Sequence, residues 1–152
     1  MEYDFSRPIH YCASVFVIHE NKILFLKQSR SNYLLLPGGH VEEDELPHET
    51  AVRETFEETS LKIELLEKSN EKARTKIVEP LPLPLCMRLL PCRNKKDIDF
   101  LYTAKIISGE LKISEESTEA KWLSEQEIQN SQEVGPNLKY YALKILNEKR
   151  EQ

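Results

Sequence analysis

The segment from Gly39 to Leu61 reads GHVEEDELPHETAVRETFEETSL and decides how the rest of the chain is interpreted. Its second half, HETAVRETFEET, has neither proline nor glycine and suits a helix that ends near Thr59. Pro47 fits the first helical turn, because its missing N–H has no intrahelical partner there. Leu46 then stands at the N-cap, where it is a poor capping residue. We therefore predict a helix from Pro47 to about Thr59.

A helical wheel divides this segment into a core-facing side and an acidic side. The residues predicted to face the core, within roughly 60° of Val52, are His48, Thr55, Phe56 and Thr59. Glu54, Glu57 and Glu58 lie on the opposite side at the spacing i, i+3, i+4. The helix is therefore predicted to carry three carboxylates on one face.

Such a face is often only solvated, but the neighbouring charges argue against that interpretation here. Like charges at i,i+4 repel, and Glu54 has neither lysine nor arginine at that spacing. Only Glu57 has a well-placed partner, Arg53. Mg²⁺ prefers oxygen ligands and bridges to substrate phosphates, and the glycines of LPGGHVEEDE bring backbone close to the same place. The pattern indicates an open Mg²⁺ site, with Mn²⁺ as an alternative ion.

Seven positions of the segment agree with the Nudix box, so the chain resembles the Nudix hydrolase family. The box is Gly, five residues, Glu, seven residues, Arg-Glu, apolar, any, Glu-Glu, any, Gly, apolar. The matching positions are Gly39, Glu45, Arg53, Glu54, Glu57, Glu58 and Leu61. Thr55 stands where an aliphatic residue is usual, and Ser60 replaces the glycine that normally ends the helix. LPGG before the box and EESTEAKWLS after it extend the resemblance.

The resemblance implies an α/β/α sandwich, with helices on a mixed β-sheet and a catalytic loop, helix and loop that bind divalent metal. Carried over by position, Glu57 and Glu58 would be the principal metal ligands, and Glu54 a ligand or the base that orients water. Arg53 would hold the glutamates in place. Gly39 would offer its backbone carbonyl to the metal.

Two further acidic positions follow from the same resemblance. Glu45 matches the position that stabilises the loop of the box. In relatives, a carboxylate from the stretch before the tryptophan often completes the metal site, and here that tryptophan is Trp122. Glu116 fits best, with Glu115 and Glu119 as rivals. We therefore expect Glu116 to point at the helix glutamates.

The implied activity is hydrolysis of a diphosphate linkage in a nucleoside diphosphate joined to another group, such as a nucleoside triphosphate or nucleotide sugar. A diphosphate resists attack through its negative charge and its poor leaving group, and a divalent cation lowers both barriers. No side-chain nucleophile is required. The histidines are therefore not assigned to catalysis, although His40 is expected near the phosphates and His48 on the core side of the helix. Lys27 and Arg30 are left as surface residues.

Two other functions agree less well with the sequence. A non-catalytic Nudix-like nucleotide-binding or interaction module has no obvious use for an uncompensated carboxylate face. An isoprenoid diphosphate isomerase shares the fold but uses a cysteine and a glutamate in a longer chain. Subgroup signatures for diadenosine polyphosphates and ADP-ribose expect a tyrosine or proline beyond the box, where Ile77, Val78 and Glu79 stand. The exact substrate stays open.

The bulk composition is that of an ordinary globular chain. Its 152 residues suit one domain over 1–152, and its net charge of -5 does not support binding to nucleic acid. No run approaches the about 18 apolar residues of a membrane span, and the start lacks signal-peptide order. We expect a cytoplasmic monomer or homodimer. Cys12, Cys86 and Cys92 lack metal-site spacing and are predicted to be buried or incidental thiols.

The other elements are predicted from apolar runs and the turns between them. The runs HYCASVFVI and KILFLKQ should form a hairpin around Asn21. Further predicted elements are strands at 33–39, 61–66, 83–90 and 98–107 and helices near Glu127 and from Asn137. The glycines after Pro37 are expected to form a loop. The proline-spaced stretch at 68–84 favours an extended connection.

Overall fold

The strands and helices lie within residues 8–91 and 95–150, the part of the chain that the computed structural model describes. Its strands are β1 (Ile9–His19), β2 (Lys22–Lys27), β3 (Gly38–His40), β4 (Lys62–Leu65), β5 (Cys86–Pro91), β6 (Lys96–Ser108) and β7 (Glu119–Ser124). Its helices are α1 (Pro47–Thr59), α2 (Glu125–Asn130) and α3 (Pro136–Arg150), with a 3₁₀ turn at Glu71–Ala73. None of the helices in these ranges is long and apolar enough to span a bilayer. Cys92 falls outside the described residues.

β1 and β2 form the predicted hairpin. His19 pairs with Lys22, which leaves Glu20 and Asn21 as a two-residue turn. Both turn residues have positive φ, 47° and 59°, as a type I′ hairpin turn requires. This turn fixes the register in which the two strands alternate their side chains.

β1 lies inside a mixed sheet that has seven strands in the described ranges. The main path has the order β4-β6-β1-β2-β7, while β3 pairs with β1 and β5 with β6. β1 and β6 run parallel, from Ile9 beside Lys96 to Ile18 beside Lys105. The other pairings are antiparallel. The predicted mixed sheet is confirmed.

Side chains of β1 alternate between two apolar cores, one on each face of the sheet, as the strand period of two requires. Val15 and Val17 belong to the core that includes Ala51 of α1. Phe16 and Ile18 belong to the core on the other face. Its helical members are Ile128 of α2 and Leu138, Ala142, Ile145 and Leu146 of α3. Helices therefore cover both faces, and the α/β/α sandwich is confirmed.

The prediction for the segment before α1 was wrong in two respects. Leu34 and Leu35 form only isolated bridges, and the regular strand β3 begins later, at Gly38. The two glycines are strand residues and not a loop, since Gly39 pairs with Ala13 of β1. A Cβ atom on Gly38 would lie 2.3 Å from the carbonyl oxygen of Ala13. Glycine is required here for close approach of two backbones.

Candidate metal and phosphate site

Helix α1 is rotated relative to the predicted orientation: Thr55 and Thr59 are buried as predicted, but the two large apolar residues are not. Val52 and Phe56, expected to face the core, are 39% and 47% exposed. The buried residues of the helix are Thr50, Ala51, Thr55, Glu58 and Thr59. Thr55 and Thr59 bury their hydroxyls by donating to the carbonyls of Ala51 and Thr55, respectively. The apolar side chains of Val52 and Phe56 predicted the buried side, whereas small, internally satisfied side chains let the helix lie close to the sheet.

Because of this rotation, the three box glutamates differ in burial. Glu57 is open to solvent, with 56% of its side chain exposed. The side chain of Glu54 is only 17% exposed, and Glu58 is 5% exposed. The three carboxylates therefore do not form a uniformly solvated face. Their exposure to solvent decreases from Glu57 through Glu54 to Glu58.

Arg53 lies at the centre of the polar contacts around the box. Its Nε and Nη2 donate to the two carboxylate oxygens of Glu45 at 2.6 and 3.0 Å. Nη1 donates to Glu54 at 2.9 Å and to Glu57 at 3.1 Å. Nη2 also donates to the carbonyl oxygen of His40 at 3.2 Å. Arg53 thus joins the loop to the helix, and its contacts to the glutamates agree with the holding role expected for it.

Glu45 is held in the loop by further donors. The Thr50 hydroxyl donates to it at 2.7 Å and the Glu42 N–H at 3.1 Å. The hydrogen bond from Arg53, together with these donors, lowers the pKa of Glu45 to about 2. Glu45 is therefore a firmly ionised anchor for Arg53, a geometry that agrees with the loop-stabilising role expected for it.

The backbone of β3 lies directly against the helix glutamates. A Cβ atom on Gly39 would lie 2.4 Å from the carboxyl carbon of Glu54. Gly38, Gly39, Glu54 and Glu58 line one cavity. The structure thus brings Gly39, Glu54 and Glu58 together, as the sequence predicted.

The electrostatics of this cluster favour a cation. Burial, followed by the neighbouring charges of Glu54 and Glu116, raises the pKa of Glu58 to about 8. Burial also raises the pKa of Glu54 above its ordinary value. Among the described residues, the buried Oε2 of Glu58 has no hydrogen-bond partner. Oxygen donors crowded in this way, one of them unsatisfied, fit a hard divalent ion that would relieve both the repulsion and the desolvation.

Glu116 faces the same cluster from the loop between β6 and β7. A cavity of about 360 Å³ is lined by Glu54, Glu57, Glu58, Ser114, Glu115 and Glu116. The Ser114 N–H donates to the Glu58 carbonyl at 3.0 Å, which ties the loop to the end of α1. Glu116 also lines the neighbouring cavity, whereas Glu119 lies 3.7 Å from Lys121 on β7. Glu116 and Glu115 therefore line the same cavity as the helix glutamates, whereas Glu119 lies outside it.

Arg30 is a candidate that sequence reasoning left out. A second cavity, of about 290 Å³, is lined by Gln28, Arg30, Gly38, Gly39, His40, Glu42, Glu54, Glu58 and Glu116. Arg30 Nε donates to Gln28 Oε1 at 3.2 Å. Lys27, in contrast, forms an ion pair with Glu133. Arg30 follows β2 by a few residues and lies near β3, which carries Gly38 and Gly39. Its place just after a predicted strand is the sequence signal that could have identified it.

Comparison with known proteins agrees with this geometry. A solved hydrolase of the NUDIX family from Clostridium perfringens superimposes with a TM-score of 0.83 at 28% identity, covering 91% of this chain and 97% of that one. A MutT-like protein of Streptomyces ambofaciens is 24% identical over 144 residues, which is 93% of this chain and 79% of that protein.

A shorter and closer match is a probable DHNTP pyrophosphohydrolase of Lactococcus lactis subsp. cremoris (strain MG1363). It is 49% identical over 47 residues, which span 31% of this chain and only 28% of that protein. The NUDIX domain model matches residues 8–143, nearly the whole chain. The box, its contacts and this match lead to one conclusion: the chain belongs to the Nudix hydrolase family.

Proposed function

We propose that this enzyme is a Mg²⁺-dependent hydrolase that cleaves a diphosphate linkage in a nucleoside diphosphate joined to another group. The buried oxygen of Glu58 that lacks a partner, in a cavity of mutually repelling carboxylates, carries the proposal. Glu57 and Glu58 would be the principal ligands of the ion, with Glu54, Glu116 and the Gly39 carbonyl completing the set. Mn²⁺ could replace Mg²⁺, since both are taken by oxygen ligands.

The residues around the ion would divide the remaining work. When bound, the cation supplies neutralisation of phosphate charge and activation of water. The Glu54 carboxylate, held by Arg53 at 2.9 Å, would orient the attacking water and accept its proton. Arg53 in turn is fixed by Glu45. Glu45 would therefore help to position the Glu54 carboxylate through Arg53, without contacting Glu54 itself.

Arg30 would hold a phosphate group of the substrate. Its guanidinium lines the cavity that also contains Glu54, Glu58 and Glu116, and planar guanidinium groups bind phosphate oxygens in pairs. Arg30→Gln should therefore raise KM at least tenfold, and Arg30→Lys should restore part of the loss. Steady-state kinetics on an accepted substrate measure both. An unchanged KM in Arg30→Gln would remove Arg30 from the phosphate site.

The proposed substrates are small molecules in which a diphosphate joins a nucleoside to a second group. Nucleoside triphosphates and nucleotide sugars are the main candidates. The name of the Lactococcus lactis relative adds DHNTP to the panel, because that protein is 49% identical to this chain over 47 aligned residues.

The decisive experiment measures phosphate and pyrophosphate release from this panel with Mg²⁺, for the wild type and three variants. Glu57→Gln and Glu58→Gln should each lower kcat by several orders of magnitude, because each removes a charged oxygen ligand of the ion. Glu119→Gln is the matched control, since Glu119 is an exposed β7 residue outside both cavities. Full turnover in excess chelator, or in Glu57→Gln, would contradict the proposal. Binding without turnover would favour a non-catalytic module instead.

A further inference from the structure

A second group of metal-binding side chains lies on the opposite face of the sheet from α1. His10 on β1 pairs in register with Asp97 on β6, and His40 on β3 pairs with Cys12 on β1. Cys12 follows His10 by two positions, so both point to the same face. Directly paired residues of neighbouring strands also share a face. Three strands thus bring two imidazoles and one carboxylate to one place.

The three side chains are close enough to share one ion. Each offers a ligand atom, and these atoms all lie within 4.8 Å of one another. His40 Nε2 is 3.7 Å from Asp97 Oδ2. Zinc bonds of about 2.0–2.1 Å place tetrahedral ligand atoms roughly 3.3 Å apart. A contraction of at most about 1.5 Å closes the site, and the imidazoles of His10 and His40 are exposed side chains.

Lys95 already places a positive charge in this group. Its Nζ lies 2.5 Å from His40 Nε2 and 3.4 Å from Asp97 Oδ2. Two of the three side chains that would coordinate a metal ion therefore already contact an ammonium group. A divalent ion entering the site would have to displace Lys95, which makes the lysine a built-in competitor.

We propose that His10, His40 and Asp97 form a second metal site, selective for a divalent transition ion such as Zn²⁺. Two imidazoles and a carboxylate suit zinc, whereas Mg²⁺ prefers oxygen ligands alone. The site is distinct from the carboxylate cluster, which contains no histidine ligand. It borders that cluster through His40, whose carbonyl oxygen accepts from Arg53. A bound ion would brace β3 against β1 and β6 at the residue after Gly39.

Zinc titration followed by calorimetry tests the site, with excess Mg²⁺ present to load the carboxylate cluster. His10→Ala should weaken zinc binding at least tenfold, and this exposed side chain can be removed without harm to the core. Lys95→Met should strengthen binding several-fold, because it removes the competing charge. His19→Ala is the matched control, since His19 lies at the β1–β2 hairpin beside Trp122 and should leave affinity unchanged.

Nitrogen-detected spectra of the imidazole rings give a second readout that is independent of activity. Zinc should shift the ring signals of His10 and His40 and leave those of His19 and His48 in place. Equal zinc affinity in wild type and His10→Ala, no zinc binding in the presence of Mg²⁺, or ring shifts confined to other histidines would each overturn the proposal. Weaker binding in Lys95→Met would also overturn it.

Discussion

Ser60 ends α1 in the left-handed region of the backbone, with φ of 61°. This is the conformation that favours glycine, the residue that Ser60 replaces in the family pattern. A side chain with a Cβ atom is strained there, and the glycine usual in the family is not. The Ser60 N–H still donates to the Phe56 carbonyl at 2.8 Å, so the helix closes normally despite the strain.

Ser60→Gly should raise the free energy of unfolding by about 1 kcal/mol, because glycine adopts positive φ without steric cost. Urea denaturation measures the change. Ser60→Ala is the control, since it loses the same weak hydroxyl contact to Lys112 but keeps a Cβ atom. If Ser60→Gly proved no more stable than Ser60→Ala, backbone strain at this position would be ruled out.

For the individual residues of the site, the sequence predicted which side chains lie together but not how deeply each is buried. The fixed spacings of the box identified Glu54 and Glu58 from position alone. The burial of Glu58 depends on the rotation of α1, and that rotation depends on whether threonine hydroxyls are satisfied inside the helix. A hydropathy wheel ranks threonine as neutral and Val52 as apolar. It therefore centres the buried side of the helix on Val52, whereas the neighbouring residue Ala51 is the one that is buried.

Elements with strong local signals were predicted well. The β1–β2 hairpin follows from a polar pair between two apolar runs. α2 is capped by Ser124, whose hydroxyl and backbone N–H exchange hydrogen bonds with Glu127. The short strands β3 and β7 depend instead on non-local pairing. β3 has only three residues, two of them glycine, and becomes a strand because it pairs with β1. The β-strand propensity of its residues does not predict such a strand.

The Glu45–Arg53 contact joins the box loop to α1 and predicts an acid dependence of stability. The pKa of Glu45 is lowered from 4.5 to about 2 in the folded protein. A lowered pKa means that the contact stabilises the fold above pH 4.5 and that this stabilisation is lost as pH falls toward 2. Glu45→Gln lacks the ionised partner at every pH.

Thermal unfolding between pH 2 and pH 7 should therefore show a wild-type Tm above that of Glu45→Gln, by a constant margin down to about pH 4.5 and a shrinking margin below it. Glu43→Gln removes an exposed charge from the same loop and serves as the control. A margin that stays constant down to pH 2 would mean that ionisation of Glu45 contributes nothing to the fold.

For the whole molecule, the resemblance to the Nudix family predicted the α/β/α sandwich, and the order of strand runs around one central helix agrees with helices packed on a mixed sheet. The sequence did not predict the parallel pairing of β1 with β6, which joins strands far apart along the chain. Arg30 was missed because the pairing of both β2 and β3 with β1, which places it near the box, is also non-local for β3. One domain over 1–152, a cytoplasmic location and the oligomeric state stay predictions.

The carboxylates proposed to bind the metal ion are expected to lower the stability of the whole protein when no ion is bound. In metal-free protein, folding must bury Glu58 close to Glu54 and Glu116, and among the described residues one of its oxygens lacks a partner. An ion that binds only the folded state offsets this cost, by about 2.7 kcal/mol at a concentration of 100 Kd. Metal-free protein is therefore predicted to be less stable than the Mg²⁺ form, and this difference should depend on Glu58.

Thermal unfolding in chelator and then in rising Mg²⁺ measures that difference. Mg²⁺ should raise the Tm of the wild type. Glu58→Gln should be more stable than the wild type in chelator, since a neutral amide removes the buried repulsion, and should gain little from Mg²⁺ because a ligand is lost. Glu43→Gln, which changes net charge equally at an exposed position, should behave as the wild type in both conditions. An equal Mg²⁺ response in Glu58→Gln and wild type would show that the ion binds elsewhere, and the buried carboxylate would then be a cost to folding without a metal to explain it.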